Sequence, residues 1–276
     1  MTMTKFLYIF SLVGLLFIVG CSSSDKSEEV SEAEKPVESL YNEAADTLDK
    51  KQYKQSTRLF NEVERQHPYS KWATKAQLMA AYAAYEGEDY IGSVLALDRF
   101  MRLHPGNKDI DYALYLKALN FYDQISDIGR DQDMTFQAKE NFEGLLRAYP
   151  NSKYARDAKL KLDLTLDHLA GKEMSIGRYY LVRNQYHASI KRFMNVVRDY
   201  QTTTHTPEAL HRLVEAYLSL GIQSEATRIA AILGYNYPGS VWYEDTYKLM
   251  DDSQRKKLLD DRGFVDKTLE SLFRPE

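Results

Sequence analysis

One pattern recurs five times along this sequence and constrains its fold more than any other feature. Each copy ends at a stop position, with apolar residues eight and five positions before it and a small residue twelve before it. The stops are Pro68, Pro105, Pro150, Gln201 and Pro238, and the small residues are Ser56, Ser93, Ala138, Ser189 and Ala226. Five copies in one register predict a protein built by stacking one supersecondary unit.

The register extends backward and identifies that unit. Three copies have a tyrosine fifteen residues before the stop, and Ala44, Ala81 or Gly177 twenty-four before it. These offsets match the tetratricopeptide repeat, which is a pair of antiparallel helices. Small residues are required where helices approach closely, and proline stops the second helix because it has no N–H to donate. We therefore predict an all-α solenoid of about five tetratricopeptide-like helix pairs.

The segments between the repeats also carry signals. A Pro-x-Ser-x-aromatic pattern places Ser70, Ser152 and Ser240 where each could cap the following helix. The stops are 37, 45, 51 and 37 residues apart, so two repeats contain extra chain. We assign the first excess to 125–133, as an ordered insertion or a mobile loop, and the second to an added helix over about 153–169 that Gly171 ends.

These signals divide the chain into five segments. Residues 1–20 are a predicted lipoprotein signal peptide, and 21–35 are a lipidated, flexible tether rich in serine and acids. Residues 36–152 hold repeats one to three. Residues 153–259 hold repeats four and five and a C-terminal capping helix over 241–259, because a solenoid needs its exposed end covered. Residues 260–276 are expected to be a loosely held tail.

The predicted signal peptide ends at the only cysteine. An apolar run of 15 residues, Phe6 to Gly20, follows a basic start and stops at Cys21. A spanning helix needs about 20 apolar residues, so a permanent transmembrane anchor is the weaker alternative. Ile18-Val19-Gly20-Cys21 resembles the lipobox of bacterial lipoproteins, in which the cysteine receives S-diacylglycerol and an N-acyl chain; a signal peptide with an incidental cysteine is the other reading. By resemblance to the lipoprotein sorting pattern, Ser22 directly after the cysteine implies the outer membrane, facing the periplasm.

The composition gives little support to catalysis or to nucleic-acid binding. The net charge is −4, so a concentrated basic face for nucleic acid is not expected. The six histidines show no metal-ligand spacing, and we propose neither a metal nor any cofactor beyond the lipid. Glu270-Ser271 resembles the acid pair of peptidoglycan-cleaving enzymes, but only five residues follow it and no walled pocket is predicted. We therefore predict no enzymatic activity.

Protein binding is the function that the repeats favour. The first helices of stacked pairs line a concave wall suited to an extended peptide, and in repeat two this wall should show Tyr82, Tyr85 and Glu86. The following helix should direct Arg99 and Arg102 outward. Arginine and tyrosine are enriched where proteins recognise each other. The alternative reading is that these arginines are solvated and pair with Asp98, while the tyrosines pack between repeats.

Several runs resemble the BamD family, the tetratricopeptide lipoproteins of the outer-membrane β-barrel assembly machine. They are Leu97-Asp98-Arg99-Phe100-Met101-Arg102-Leu103-His104-Pro105 with Ile110-Asp111-Tyr112, then Leu146-Arg147-Ala148-Tyr149-Pro150-Asn151-Ser152-Lys153-Tyr154, then Tyr179-Tyr180 with Arg183, and Arg198-Asp199-Tyr200. The resemblance covers Cys21 to about Leu259. It implies a scaffold that recruits unfolded outer-membrane proteins and docks on the periplasmic POTRA domains of the barrel-forming subunit, with other assembly-machine lipoproteins as further partners.

The resemblance also implies site residues. Arg99 and Arg102 match family arginines that receive the C-terminal signal of the substrate, and Tyr69 and Tyr82 match aromatic positions at the same end. Arg192, with Arg183 nearby, matches the side that holds the barrel subunit. Two other functions share the anchor or the compartment: a pilotin-like lipoprotein for secretin assembly, and a regulator of peptidoglycan hydrolases.

Overall fold

The computed structural model describes residues 35–260, and side chains within 35–256. The predicted signal peptide, Cys21, the tether up to residue 34 and the tail from residue 261 lie outside this range. The described residues form helices joined by turns, without strands. The helices are α1 Val37–Asp49, α2 Tyr53–Gln66, α3 Lys71–Glu86, α4 Tyr90–Leu103, α5 Ile110–Tyr122, α6 Asp133–Ala148, α7 Ala155–Val182, α8 Tyr186–Asp199, α9 Thr206–Ser219, α10 Gln223–Asn236, α11 Val241–Leu249 and α12 Asp252–Asp260.

These helices pack in the order of the chain. Each helix from α1 to α10 contacts the next one, α12 contacts α10, and the first helices of successive pairs also contact each other, α1 with α3, α3 with α5 and α5 with α7. Such nearest-neighbour packing is what a solenoid requires. The predicted all-α, tetratricopeptide-like architecture is confirmed.

The repeated positions form the core. All five small residues of the pattern and all five apolar residues eight positions before the stop have no exposed surface. Phe60, Phe142 and Phe193 are among the largest fully buried side chains, and burying such a ring stabilises the fold by about 1.5–3 kcal/mol. The buried Ser56 hydroxyl donates to the Ala44 carbonyl, 2.9 Å away, and so fastens α2 to α1. The pattern therefore marks where helices meet.

The serines after the stops behave in two ways. Ser70 accepts a hydrogen bond from the Ala73 amide at 3.0 Å and caps α3, and Ser240 accepts one from Trp242 at 3.3 Å and caps α11. Ser152 does not cap a helix, because α7 begins only at Ala155. Its oxygen accepts from the Tyr154 amide at 3.1 Å, ahead of the helix, and its hydroxyl donates to Asp111 at 2.6 Å and ties this turn to α5. The capping prediction is thus correct for two of the three turns.

The turns inside four of the five pairs share one backbone conformation that the sequence analysis did not identify. Lys51, Glu88, Asn184 and Gly221 all have positive φ, between 58° and 76°. Each lies two residues before the first residue of a second helix, and its amide donates three residues back, as Glu88 does to Tyr85 at 2.9 Å. This left-handed residue reverses the chain in a very short turn.

The C-terminal end predicted for the extra helix over 153–169 is wrong. Gly171 does not stop it, and α7 continues through Gly177 to Val182 as a single helix of 28 residues. A glycine inside a helix costs only about 1 kcal/mol relative to alanine, which packing on both sides of α7 exceeds. Gly171 serves close packing, because a β-carbon there would lie 3.3 Å from Nε2 of His205.

The first insertion is ordered. The segment 123–132 precedes α6 and is held by two side chains that donate to its carbonyls. Lys172 Nζ of α7 lies 3.0 Å from the Gly129 oxygen and 3.1 Å from that of Arg130, while the buried Gln132 amide donates to the Arg130 carbonyl at 3.1 Å. The insertion is therefore fixed against α7 by side-chain hydrogen bonds.

The C-terminal cap is two helices, where the sequence analysis predicted one. Met250 is extended and buried, and it separates α11 from α12. Asp251 and Gln254 then form a reciprocal capping box, with the Asp251 amide 2.9 Å from Oε1 of Gln254 and the Gln254 amide 2.8 Å from Oδ1 of Asp251. The Asp-x-x-Gln spacing is the sequence signal for this restart.

Candidate partner-binding surfaces

Arg99 belongs to a polar network that joins three helices. Its guanidinium reaches from α4 to Glu64 of α2, with Nη1 to Oε2 at 3.1 Å and Nη2 to Oε1 at 2.5 Å. Glu64 also accepts from Gln77 of α3 at 2.7 Å, and the Gln77 oxygen lies 2.8 Å from Nε2 of His104. Fork-shaped pairing of this kind fixes the plane of the guanidinium. Arg99 is therefore oriented, although 55% of its side chain is exposed.

The other residues of the predicted substrate site are less constrained. Arg102 is exposed and makes no ion pair or hydrogen bond within the described part of the chain. Asp98, the alternative partner of both arginines, pairs instead with Lys117 Nζ of α5 at 2.7 Å. Tyr69 is fully exposed in the turn between α2 and α3. Arg102 and Tyr69 are thus available to a partner.

Tyr82 and Tyr85 are half-buried on the side of α3 that packs against α5. The Tyr85 hydroxyl donates to the carboxylate of Asp123, which follows α5. Burial raises the pKa of both phenols, and so do hydrogen bonds to carboxylates, from Tyr82 to Glu86 and from Tyr85 to Asp123. Both tyrosines therefore stay neutral beside acidic groups.

Three further tyrosines extend this surface. Tyr154 packs against two tyrosines of α5, with its ring centroid 5.3 Å from that of Tyr112 and 5.0 Å from that of Tyr115, and the Tyr115 ring lies nearly parallel to it. The Tyr115 hydroxyl donates to the Asp157 carboxylate. We call Tyr82, Tyr85, Tyr112, Tyr115 and Tyr154 the tyrosine row. The repeated Tyr-x-x-Tyr on α3 and α5 was the signal for it in the sequence.

The predicted substrate site therefore divides between two helices. Tyr82 and Tyr85 lie on α3, and Arg99 and Arg102 lie on α4. Among the described residues, no hydrogen bond or ring contact joins either arginine to these tyrosines or to Tyr69.

The second predicted surface lies where α7 meets α8. Arg192 of α8 donates to Glu173 of α7 at 3.0 Å, and the same carboxylate accepts from Asn195 at 2.9 Å. This ion pair lies in a cleft of about 360 Å³ that is also lined by Arg130 of the insertion and by the half-exposed Phe136. The cleft offers cations and an aromatic ring together.

Arg183 follows the last residue of α7. Its guanidinium carbon lies 4.0 Å from the ring centroid of Tyr179, and it also donates to the Tyr179 hydroxyl. Such stacking holds a guanidinium flat while leaving its outer edge open. Arg192 and Arg183 are thus held by different partners, Glu173 and Tyr179.

Other kinds of site are not found in the part of the chain that the structure describes. No group of three or more histidine, cysteine or acidic side chains in residues 35–256 could hold a metal ion. Of the helices in this range, none is both long and apolar enough to cross a bilayer.

The chain matches a known protein family over most of its length. The YfiO family, described as outer membrane lipoprotein, matches residues 33–232. The chain belongs to this family. The description of this family confirms the predicted location of this lipoprotein at the outer membrane. The BamD relatives given below confirm the predicted resemblance. The matched range ends inside α10, so the two C-terminal helices lie beyond it.

Individual relatives extend the match. This lipoprotein is 48% identical to the outer membrane protein assembly factor BamD of Caulobacter vibrioides, over 86% of this chain and 77% of that protein. It is 45% identical to the BamD of Rickettsia prowazekii over 92% of this chain and the whole of that protein. The BamD of Neisseria meningitidis serogroup A is 35% identical over 74% of this chain and 80% of its own length.

Proposed function

We propose that this lipoprotein is a non-enzymatic assembly factor that recruits unfolded β-barrel proteins and holds them beside the barrel-forming subunit. The observation that carries the proposal is the 45% identity to an outer membrane protein assembly factor along that protein's whole length. The geometry supports it, because arginines stand in two separate places, on α4 of repeat two and where α7 meets α8.

For the substrate, we propose that Arg99 and Arg102 bind the C-terminal carboxylate and that Tyr69 and the tyrosine row contact its aromatic side chains. Guanidinium groups bind carboxylates through paired hydrogen bonds, and tyrosine rings stack on other aromatic rings. Arg102 has no internal partner among the described residues, so it can accept such a group directly. Arg99 must share its hydrogen bonds with Glu64.

The substrate proposal is tested by crosslinking the mature lipoprotein to peptides that end in a β-barrel signal. We expect the double variant Arg99→Ala, Arg102→Ala to lose at least about tenfold in crosslinking yield, because two charge-assisted contacts are removed. Arg147→Ala is the matched control, since Arg147 stands three residues before Pro150 as Arg102 stands before Pro105. Equal crosslinking by the double variant and the control would contradict the site.

Glu64→Gln separates binding by Arg99 from a structural role. The substitution removes the charge that holds Arg99 and leaves the guanidinium in place. If Arg99 binds the substrate carboxylate, Glu64→Gln should keep or increase crosslinking. If Arg99 only braces α4 against α2, the substitution should reduce crosslinking as Arg99→Ala does.

For docking, we propose that Arg192 and Arg183 contact a POTRA domain of the barrel-forming subunit. The Arg192→Glu variant should co-purify less of that subunit, because it places two like charges, Glu173 and the new glutamate, at the contact. Lys191→Glu is the matched control, since it makes the same charge change at the neighbouring exposed position. Unchanged co-purification with Arg192→Glu would remove Arg192 from the interface. Other assembly-machine lipoproteins would be recovered in the same experiment.

A further inference from the structure

A groove between α2 and α4 has the features of a second, separate binding site. Its volume is about 430 Å³, and it is lined by the first turns of α2, the end of α3 and Asp89, the residue before α4. The floor is the end of α3, where Ala83, Ala84 and Gly87 leave the backbone nearly bare. A floor of such small residues lets another helix approach closely.

One wall of the groove is cationic. Lys54 and Arg58 stand one turn apart on α2, both are exposed, and neither has an ion pair or hydrogen bond within the described residues. The acid that lines the groove, Asp89, already caps α4 by accepting the Gly92 amide at 3.0 Å. The wall therefore carries positive charge that nothing in the described part of the chain neutralises.

Two exposed aliphatic side chains lie on α4, next to the lining of the groove. Ile91 and Leu95 of α4 are 76% and 65% exposed, although both are large and apolar. Leu95 lies one turn before Arg99, and Arg99 reaches α2, so Leu95 stands on the side of α4 that borders the groove. Ile91 is one turn earlier on the same side. The exposed pair is thus on the face of α4 that is turned toward α2, the helix that carries the cationic pair.

We propose that this groove binds an acidic, amphipathic α-helix of a protein partner. In each pair the two residues are one helical turn apart. A partner helix laid along the groove would match this spacing with acidic residues at i and i+4 and with aliphatic residues on its adjacent face. The charge of the wall selects an acidic partner over a basic one. The site is distinct from the proposed substrate site, which uses Arg99 and Arg102 in the last two turns of α4.

The test uses the mature lipoprotein in nanodiscs of neutral lipid and a labelled 18-residue helical peptide that carries glutamates and leucines at these intervals. Binding is measured by fluorescence anisotropy. We expect saturable binding, weakened at least about tenfold by Lys54→Glu with Arg58→Glu and separately by Leu95→Ser. A peptide with lysines in place of the glutamates should not bind.

The controls match the two features of the groove. Leu164→Ser removes an exposed leucine of α7, which has the exposed Leu160 one turn before it, as Leu95 has Ile91. Lys159→Glu reverses the charge of an exposed cation on the same helix. Neither should change binding, and Arg102→Ala, which alters the proposed substrate site and leaves the Arg99–Glu64 pair between α4 and α2 intact, should not either, so this proposal and the substrate proposal can fail separately. Absence of binding, or equal loss with the controls, would overturn the proposal. Loss of peptide binding in nanodiscs of anionic lipid would assign the cations to the membrane and would also overturn it.

Discussion

Phe193 of α8 packs directly onto the bare backbone of Gly177 in α7. A β-carbon on Gly177 would lie 2.4 Å from Cε1 of Phe193, closer than real side-chain contacts allow. Phe193 belongs to the core cluster that also contains Leu210 and Leu213 of α9, and Gly177 is buried, so the ring cannot move away without disturbing α9. The smallest residue of the repeat thus sets how closely the helices of pair four approach.

Gly177→Ala should therefore destabilise the protein by about 1–3 kcal/mol, since overpacking outweighs the gain in helix propensity. The measurement is the free energy of unfolding from urea denaturation followed by circular dichroism. Gly144→Ala is the control, because Gly144 lies in α6 with no atom within 4 Å of its added β-carbon. That variant should be more stable than the parent by about 0.5–1 kcal/mol. Equal effects at both positions would contradict the packing argument.

The left-handed turns predict a second stability effect. Glu88 adopts φ 59°, a conformation that strains a residue with a β-carbon and suits glycine. Glu88→Gly should stabilise the protein by about 0.5–1 kcal/mol, and Gly221→Ala, at the equivalent turn of repeat five, should destabilise it by about 1 kcal/mol. Thermal unfolding of both variants checks the pair. The same sign of change in both would refute the shared conformation.

How much of this architecture was predictable depends on the range of the interactions involved. The core positions followed from the sequence, because close helix packing demands small residues such as Ser93 and Ala138 at fixed offsets. The end of α7 did not, since the packing of tertiary neighbours such as His205 overrode the helix-stopping tendency of Gly171. The partner of Arg99 could not be predicted either, because Glu64 is 35 residues away and depends on the offset between stacked helices.

The ion pairs of Glu208 with two arginines should make the stability of the protein depend on pH. Its carboxylate accepts from Arg178 of α7, at 2.8 Å from Nε and 2.5 Å from Nη2, and also lies 3.4 Å from Nε of Arg212. Burial alone would raise the pKa of Glu208, but the two arginines lower it below its ordinary value of about 4.3. The folded state therefore keeps the charge, and the stability gained is complete above about pH 5 and is lost as the pH falls through the depressed pKa.

Glu208→Gln should accordingly cost about 1–2 kcal/mol of unfolding free energy at pH 7, a value reduced for the partly exposed Arg178. The difference from the parent should shrink toward pH 3, where the parent carboxyl is protonated. Urea titrations at pH 7, 5 and 3 measure it. Glu143→Gln, which breaks a surface pair with Lys139, is the control and should change stability by less than about 0.5 kcal/mol. A pH-independent difference for Glu208→Gln would rule out the charge as its cause.

Trp242 holds the C-terminal helices to the repeats, although α11 and α12 lie beyond the range that the family matches. Its ring centroid lies 5.3 Å from that of His211, and the Arg212 guanidinium carbon lies 5.3 Å from the Trp242 ring. One turn later, Thr246 Oγ1 lies 2.8 Å from Nδ1 of the buried His211. Trp242→Ala should cost about 2–4 kcal/mol, because a half-buried ring and its stacking are lost.

Where Trp242→Ala loosens the structure shows whether Trp242 stabilises only the C-terminal end or the whole solenoid. Since each repeat contacts only its neighbours, Trp242→Ala should accelerate hydrogen exchange in α9 to α12 and leave α1 to α4 unchanged. Trp72→Ala tests the other end of the solenoid, where the Trp72 ring packs against Tyr41 with their centroids 4.7 Å apart. It should accelerate exchange in α1 to α3 and leave α11 unchanged. If each variant loosened both ends equally, the stack would be unfolding as one cooperative unit, and the nearest-neighbour account of its stability would be wrong.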